Sequence, residues 1–341
     1  MARELRIGIL GAARIAPAAL VRPAGELEGV RVAALAARDA LRAQRFAARH
    51  GIARVHPSYE ALIADPELDA IYVPLPNGLH GAWTLRALEA GKHVLCEKPL
   101  AANGDEALQM QRAAEESKRV LMEAFHWRYH ALAARVRAIL DAGELGQLRH
   151  VEAALCFPLP LLRDIRYDLS LAGGATMDAG CYPISLVRFL AGAEPLVVSA
   201  DARLLRPGVD RYMRAELRFP GGVTGRITAS LLSARLIGVS ARAVGERGEL
   251  RLLNPIAPQF FHRLTLRSAA GRRSERVAGE ASYTAQLRAF KRAVESGEPL
   301  PTDAAHAVAN MRVIDAIYAA AGLERRRPTP IGADRLAHRV G

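Results

Sequence analysis

Lysine is nearly absent from this 341-residue chain: of its 47 basic residues only Lys92, Lys98, Lys118 and Lys291 are lysines. Arginine has taken almost every position that asks only for positive charge, so a lysine that persists invites a chemical reason. Cysteine is equally scarce. Cys96, Cys156 and Cys181 are scattered without CxxC spacing, which excludes a disulfide framework and a zinc site and points to a reducing cytoplasm. Aromatic residues make up 5% of the chain, too few for a platform on which bases stack. The net charge of +12 is spread along the sequence with no basic tract, so no nucleic-acid partner is expected; the one cluster, Arg325–Arg327, reads as a solvated face. No apolar run approaches the ~20 residues that span a bilayer. The opening MARELRIGIL enters an apolar segment without the charged, apolar and small-residue order of a signal peptide. Neither a membrane nor a metal is expected as a partner.

What is present is alternation. LRIGIL (5–10), VRVAALAA (30–37), LDAIYVPLP (68–76), KHVLCEKP (92–99) and RVLMEAF (119–125) are apolar runs separated by helical patterns, among them His80–Ala90 and Asp105–Ser117. Continuous apolar strands alternating with helices imply a parallel sheet covered on both faces. Residues 1–125 are therefore expected to form an α/β domain with a doubly wound parallel sheet of the Rossmann type. Beyond residue 126 the texture changes. Helical patterns near His130–Ala142 and Asp178–Leu190 precede turn-separated, alternating segments from Leu196 to Leu266, and helices at Thr284–Ser296 and Asp303–Ala320 close the chain. This predicts an α+β domain over 126–341 with a large open, mainly antiparallel sheet.

The first apolar run continues into IGILGAARIA (7–16), where Gly11, Ala13, Arg14 and Ile15 form a turn that can set helix N–H groups against a pyrophosphate. Ala13 stands where a second glycine belongs, and such a turn also serves as an ordinary strand-to-helix connection; its place at the first strand of a doubly wound pattern favours the dinucleotide. At the end of the second strand an NAD enzyme carries an acid that grips the ribose. Here AARD puts Ala37 at that position and Arg38 next. A guanidinium pairs with a 2′-phosphate, so NADP(H) is preferred over NAD(H), although Arg38 also reads as a plain surface arginine. PLPNGLH supplies Leu75, Pro76, Asn77 and His80 at a strand's carboxyl end, where cofactors lie; His80 also fits a helix start with no ligand role.

VLCEKPLA (94–101) brings Glu97 and Lys98 to the same edge. Lysine, unlike arginine, can surrender its proton, so Lys98 hints at proton chemistry. In GGATMDAGCYP (173–183) Asp178 and Tyr182 are four apart and share one face of a helix. An acid beside a phenol suits a substrate with several hydroxyls and one proton to move; a capping aspartate and a core tyrosine fit the same pattern. His126, Trp127 and Arg128 follow the last strand of the first domain and are candidates for binding the substrate. Arg163 and Arg166 of LLRDIRYD are candidates for binding its hydroxyls or a phosphate, or are residues of a solvated loop.

Taken together these stretches resemble the glucose–fructose oxidoreductase / inositol dehydrogenase family (Gfo/Idh/MocA). The resemblance spans nearly the whole chain, through AGKHVLCEKPLA, MEAFHWRYH, LGQLRHVEAAL, GGATMDAGCYPI and the closing YTAQLRAFKRAVESGEPLPTDAAHAVANMRVIDAIYAAAG. AARD and MEAFHWRYH look closest to the dimeric dihydrodiol dehydrogenase and NADP-dependent sugar-oxidoreductase branches. The resemblance implies an NADP(H)-dependent oxidoreductase that moves a hydride between nicotinamide and a secondary alcohol or ketone of a sugar, sugar nucleotide or cyclic diol. It also implies catalytic roles for Lys98, Asp178 and Tyr182, a role for Glu97 in orienting Lys98 or the nicotinamide amide, and a homodimer or homotetramer built through the second-domain sheet. Two departures stand out. Ala131 replaces a frequent proline, and Tyr182 occupies the position that inositol dehydrogenases fill with histidine, which favours carbonyl, diol or ketosugar chemistry. A catalytically silent NADP-binding regulator or redox sensor is the alternative, and the joint retention of Lys98, Asp178 and Tyr182 speaks against it.

Overall fold

The structure is a computed structural model and describes residues 4–162, 164–233 and 238–332; Arg163 lies outside them. The chain forms two compact units. The first comprises Met1–His126, Tyr283–Val308 and the stretch from Pro328, and the second comprises Trp127–Ser282 and Ala309–Arg327. The units are not two consecutive blocks, because the chain returns to the first unit at Tyr283–Val308.

In the first unit β1 (Leu5–Leu10), β2 (Val30–Ala36), β3 (Arg54–His56), β4 (Ala70–Val73), β5 (His93–Cys96) and β6 (Leu121–Glu123) form a parallel sheet in the order β3-β2-β1-β4-β5-β6. Ile7, Ile9, Ile71, Val73, Val94 and Leu95 are wholly buried, as strands covered on both faces require. Between them run α1 (Arg22–Glu26), α2 (Ala40–His50), α3 (Tyr59–Ile63), α4 (His80–Glu89) and α5 (Gly104–Ser117). Local chemistry sets their ends: Asp39 caps α2 by accepting Arg42 N–H at 2.9 Å, and Asn103 caps α5 by accepting Glu106 N–H at 3.0 Å. The order reverses between β1 and β4, and ligands of such sheets bind beyond the strand carboxyl ends at that switch.

The second unit opens with α6 (Ala131–Asp141), β7 (Leu148–Cys156) and α7 (Cys181–Ala191). Its sheet continues through β8 (Leu196–Arg206), β9 (Val209–Arg218), β10 (Thr224–Ser230), β11 (Gly238–Gly245), β12 (Gly248–Leu253), β13 (Arg263–Ser268) and β14 (Gly271–Glu275) in the order β14-β13-β12-β11-β7-β10-β9-β8. Only β7 and β10 pair in parallel; the other neighbours are antiparallel. Val151, Ala153, Ala215, Ile227, Ala241 and Leu250 point into the core from one face. The opposite face carries Glu152, Arg226, Arg242 and Arg251 around a depression of about 480 Å³. The chain closes with α8 (Ser282–Ser296) and α9 (Ala304–Ala320), and no helix of the described residues is long and apolar enough to cross a membrane.

Candidate active site

At the switch point of the first unit the chain leaves β1 through Gly11, whose φ of 95° is open to glycine and disfavoured for side chains. A Cβ there would meet Leu75 Cδ2 at 3.2 Å and the Tyr59 hydroxyl at 3.4 Å, so glycine keeps the turn and the β4 loop in close approach. Ala13 is half-buried, Arg14 and Ile15 are exposed, and Ala16 is fully buried beneath them. Leu75, Pro76 and Asn77 are half-buried on the neighbouring strand end. These residues fit a dinucleotide: a turn drawn tightly against the next loop, followed by a helical segment from Pro17. Arg38 is exposed just past β2. Arg42, which sequence reasoning passed over, donates from Nη2 to the Ala12 carbonyl at 2.8 Å and ties α2 to the glycine turn.

Lys98 follows β5, half-buried, and its peptide bond to Pro99 is cis. Three buried groups fasten the loop around it. Tyr72 donates its phenol to Glu97 Oε1 at 2.8 Å; burial first, and the Glu97 charge second, hold that phenol well above its ordinary pKa. His80 is fully buried with Nδ1 2.8 Å from the Pro99 carbonyl and Nε2 2.7 Å from the Leu75 carbonyl. Burial, reinforced by the nearby Lys98 charge, pushes this imidazole down to about 4 although both carbonyls oppose the change. Because its two ring nitrogens face carbonyls on different loops, His80 bridges the two loops that flank the switch point. Glu123, wholly buried on β6, accepts the Leu100 N–H at 2.9 Å. Of the three, only His80 drew attention in the sequence; Tyr72 and Glu123 sit inside apolar runs that mark them only as strand.

His126 is stacked on Tyr283 with ring centroids 4.0 Å apart. In the second unit Trp127 packs edge-on against Phe189 at 5.3 Å, and the Arg128 guanidinium lies 4.4 Å from the centre of the same Phe189 ring. Trp127 is 2% exposed, so the structure gives Trp127 and Arg128 a packing role against α7. The GGATMDAGCYP stretch becomes a wide π-helical turn, Thr176–Gly180, that runs straight into α7. Turns of this kind recur at functional sites. Asp178 lies in the turn and half-buried Tyr182 in the first turn of α7. Arg166, 36% exposed at its side chain, reaches Asp178 Oδ2 from Nε at 2.8 Å and Asp164 Oδ1 from Nη1 at 3.0 Å. Arg166 and Asp178, separate candidates in the sequence, are thus one ion pair.

A Rossmann sheet with a glycine turn at its switch point, followed by a unit built on an open eight-stranded sheet, defines a two-unit nucleotide-dependent protein. A family model described as "Oxidoreductase family, NAD-binding Rossmann fold" matches residues 5–125, and one described as "GFO/IDH/MocA C-terminal domain" matches residues 133–251. D-xylose 1-dehydrogenase (NADP(+)) 2 of Haloferax volcanii is 38% identical over 318 residues, covering 93% of this chain and 97% of its own. Trans-1,2-dihydrobenzene-1,2-diol dehydrogenase of Oryctolagus cuniculus is 36% identical over 226 residues, 66% of this chain and 68% of its own. A solved structure of a 3-ketoreductase from Actinomadura kijaniata in complex with NADP and TDP-benzene matches with a TM-score of 0.87 and 30% identity, covering 93% of this chain and 98% of its own. The chain belongs to the GFO/IDH/MocA oxidoreductase family, and it is an enzyme of the dehydrogenase and reductase type.

Proposed function

We propose that this chain transfers a hydride between NADP(H) and a secondary alcohol or ketone of a carbohydrate-like or cyclic-diol substrate. The observation that carries the reading is the fastening of the Lys98 loop by Tyr72, His80 and Glu123 at the carboxyl edge of the sheet. A lysine whose neighbours Glu97, Pro99 and Leu100 are each fastened by a buried group is placed for chemistry, and a silent nucleotide binder has no use for it. NADP in the names of two relatives supports the choice of cofactor, as does Arg38 in place of a ribose-binding acid.

When bound, NADPH supplies the hydride. The Gly11–Ile15 turn and Leu75–Asn77 would hold it, with Arg38 at the 2′-phosphate and His80 acting indirectly, by bridging the two loops. As the carbonyl carbon is reduced, Lys98 Nζ hydrogen-bonds the substrate oxygen and stabilises the charge developing there. A proton from Lys98 Nζ or Tyr182 Oη then completes the alcohol, and oxidation runs the same path backwards. The Arg166–Asp178 pair receives the neighbouring hydroxyls. The test is a panel of ketosugars, inososes, diols and dicarbonyls offered to the purified protein with NADPH and with NADH. Turnover of none of them, or faster turnover with NADH, overturns the reading.

Two finer statements belong to the same proposal. Homo-oligomers form through the polar face of the eight-stranded sheet, where Glu216 pairs with Arg214 and Arg226, and Arg242 pairs with Glu152 and Glu249; light scattering at several protein concentrations checks it, and a monomer throughout refutes it. The protein works in the cytoplasm, which its three unbridged cysteines suit; cell fractionation checks that.

A further inference from the structure

Asp210, on β9 of the second unit, is wholly buried, and both of its carboxylate oxygens are doubly engaged. Oδ1 accepts the Tyr318 hydroxyl at 3.0 Å and Arg326 Nη2 at 2.7 Å. Oδ2 accepts the Thr176 N–H at 2.7 Å and its hydroxyl at 2.6 Å. Arg326 is 2% exposed, spends its Nε on the Gly173 carbonyl at 2.8 Å and lies 4.1 Å from the centre of the Tyr318 ring. The solvated face expected of Arg325–Arg327 therefore does not hold for its middle residue, which is buried because it neutralises Asp210.

The glycine pair of the signature stretch is built around this cluster. Gly174 has a φ of 133°, and a Cβ on it would run into Asp210. A Cβ on Gly173 would lie 2.7 Å from the carbonyl oxygens of Arg166 and Asp168. Gly174 N–H donates to the Arg166 carbonyl at 2.8 Å, and the Gly174 carbonyl in turn accepts Asp178 N–H at 3.0 Å. Hydrogen bonds thus run from Asp210 through Arg326 to the Gly173 carbonyl, and from Gly174 to the backbones of Arg166 and Asp178, while Thr176, two residues after Gly174, is tied to Asp210 directly.

We propose that Asp210, Tyr318, Arg326 and Thr176 form a clamp that positions the Thr176–Gly180 turn, and through it Asp178, its partner Arg166 and Tyr182. The clamp rests on the reading that Asp178 and Tyr182 serve catalysis, and its members are positioning residues. A buried charge network with every group satisfied is stiff and admits one arrangement, whereas loss of one member leaves the rest unsatisfied. A displacement of about 1 Å in a positioned group costs on the order of 10²-fold in rate.

The experiment uses the full-length enzyme and the variants Thr176→Val, Thr176→Ser and Asp210→Asn. Turnover and KM are measured on whichever ketone of the panel the wild type reduces, NADPH affinity by fluorescence titration, and the Arg166–Asp178 distance by a crystal structure of Thr176→Val. Thr176→Val should lower kcat about tenfold and Asp210→Asn about a hundredfold, with NADPH affinity unchanged because the glycine turn belongs to the other unit. Thr176→Ser, which keeps the hydroxyl, should recover wild-type turnover. In the crystal the Arg166–Asp178 pair should be broken. Turnover in Thr176→Val at the wild-type level, or a crystal structure with the pair intact, overturns the clamp. Thr176→Val decides the matter even if Asp210→Asn does not fold. If the wild type turns over nothing, the functional reading fails, while the crystal structure still decides the clamp.

Discussion

Arg166 Nε lies 2.8 Å from Asp178 Oδ2. The Asp178 charge is the largest influence raising the Arg166 pKa above its ordinary value, so the two act as one charged unit that also includes Asp164. A carboxylate engaged by a guanidinium is suited to accepting hydrogen bonds from hydroxyls, the role proposed for this pair. Charge-assisted contacts of this kind are worth ~1.5–3 kcal/mol, or roughly ten- to a hundredfold in affinity. Arg166→Ala should accordingly raise KM by about tenfold or more while lowering kcat less. Steady-state kinetics check this, and an unchanged KM removes Arg166 from substrate binding.

Arg38 is exposed at the end of β2, and the acid beside it, Asp39, is committed to capping α2. No carboxylate is therefore offered to a ribose at Ala37 or Arg38, and the role proposed for the Arg38 guanidinium is to pair with the 2′-phosphate. Arg38→Ala should weaken NADPH about ten- to a hundredfold and leave NADH within about twofold. Titration of both cofactors against both proteins decides it; equal weakening of the two shows that Arg38 does not select between them.

Lys98→Met removes the ammonium but keeps an unbranched stem of similar length. Loss of a positioned acid or oxyanion donor costs on the order of 10²–10⁴ in turnover, so kcat should fall by that amount while NADPH binding persists. Tyr182→Phe should cost less if the lysine is the main donor and about as much if the phenol is. Single-turnover reduction by both variants across pH separates the two cases. A Lys98→Met variant with near-wild-type rates removes the lysine from the chemistry.

The features legible in the sequence are those with local spacing. Alternating apolar runs announce the Rossmann sheet, IGILGAARIA its switch-point turn, and GGATMDAGCYP the helix that becomes α7, although as an ordinary helix from Asp178 and not as a π-helical turn over Thr176–Gly180. Features written in long-range contacts or in weak pattern stayed hidden. The strands β3 and β14 are short or polar edges, Arg54–His56 and Gly271–Glu275, with no apolar alternation to mark them. Asp210, Tyr318 and Arg326 come together from β9, α9 and the tail, and nothing near any of them in sequence tells a buried charge from a solvated one. The return of Tyr283–Val308 to the first unit was equally silent, because an amphipathic helix shows that it covers a core and not which core.

Glu106, in the first turn of α5, offers a test of the first unit by pH. It is 6% exposed, and its Oε2 accepts the Ala102 N–H at 2.7 Å. Gly81 leaves the space that the side chain fills. Burial raises its pKa from 4.5 to about 7, with the Ala102 bond opposing. Because the folded value is the higher one, the folded state binds the proton more tightly than the unfolded chain. The stability this contributes is complete below pH 4.5 and is lost as pH rises to about 7 and beyond, a change of about 3 kcal/mol. Glu106→Gln keeps the shape and the oxygen that Ala102 needs, and it cannot ionise. The variant should match the wild type near pH 4.5 and exceed it by about 3 kcal/mol at pH 8. Buried His80 and half-buried His93, both pushed down to about 4 chiefly by burial, lose stability as pH falls from 6.5 toward 4, but they are common to both proteins and cancel in the difference. Denaturant unfolding of wild type and variant at several pH values measures that difference. A gap that does not grow between pH 4.5 and 8 shows that Glu106 does not titrate in this range.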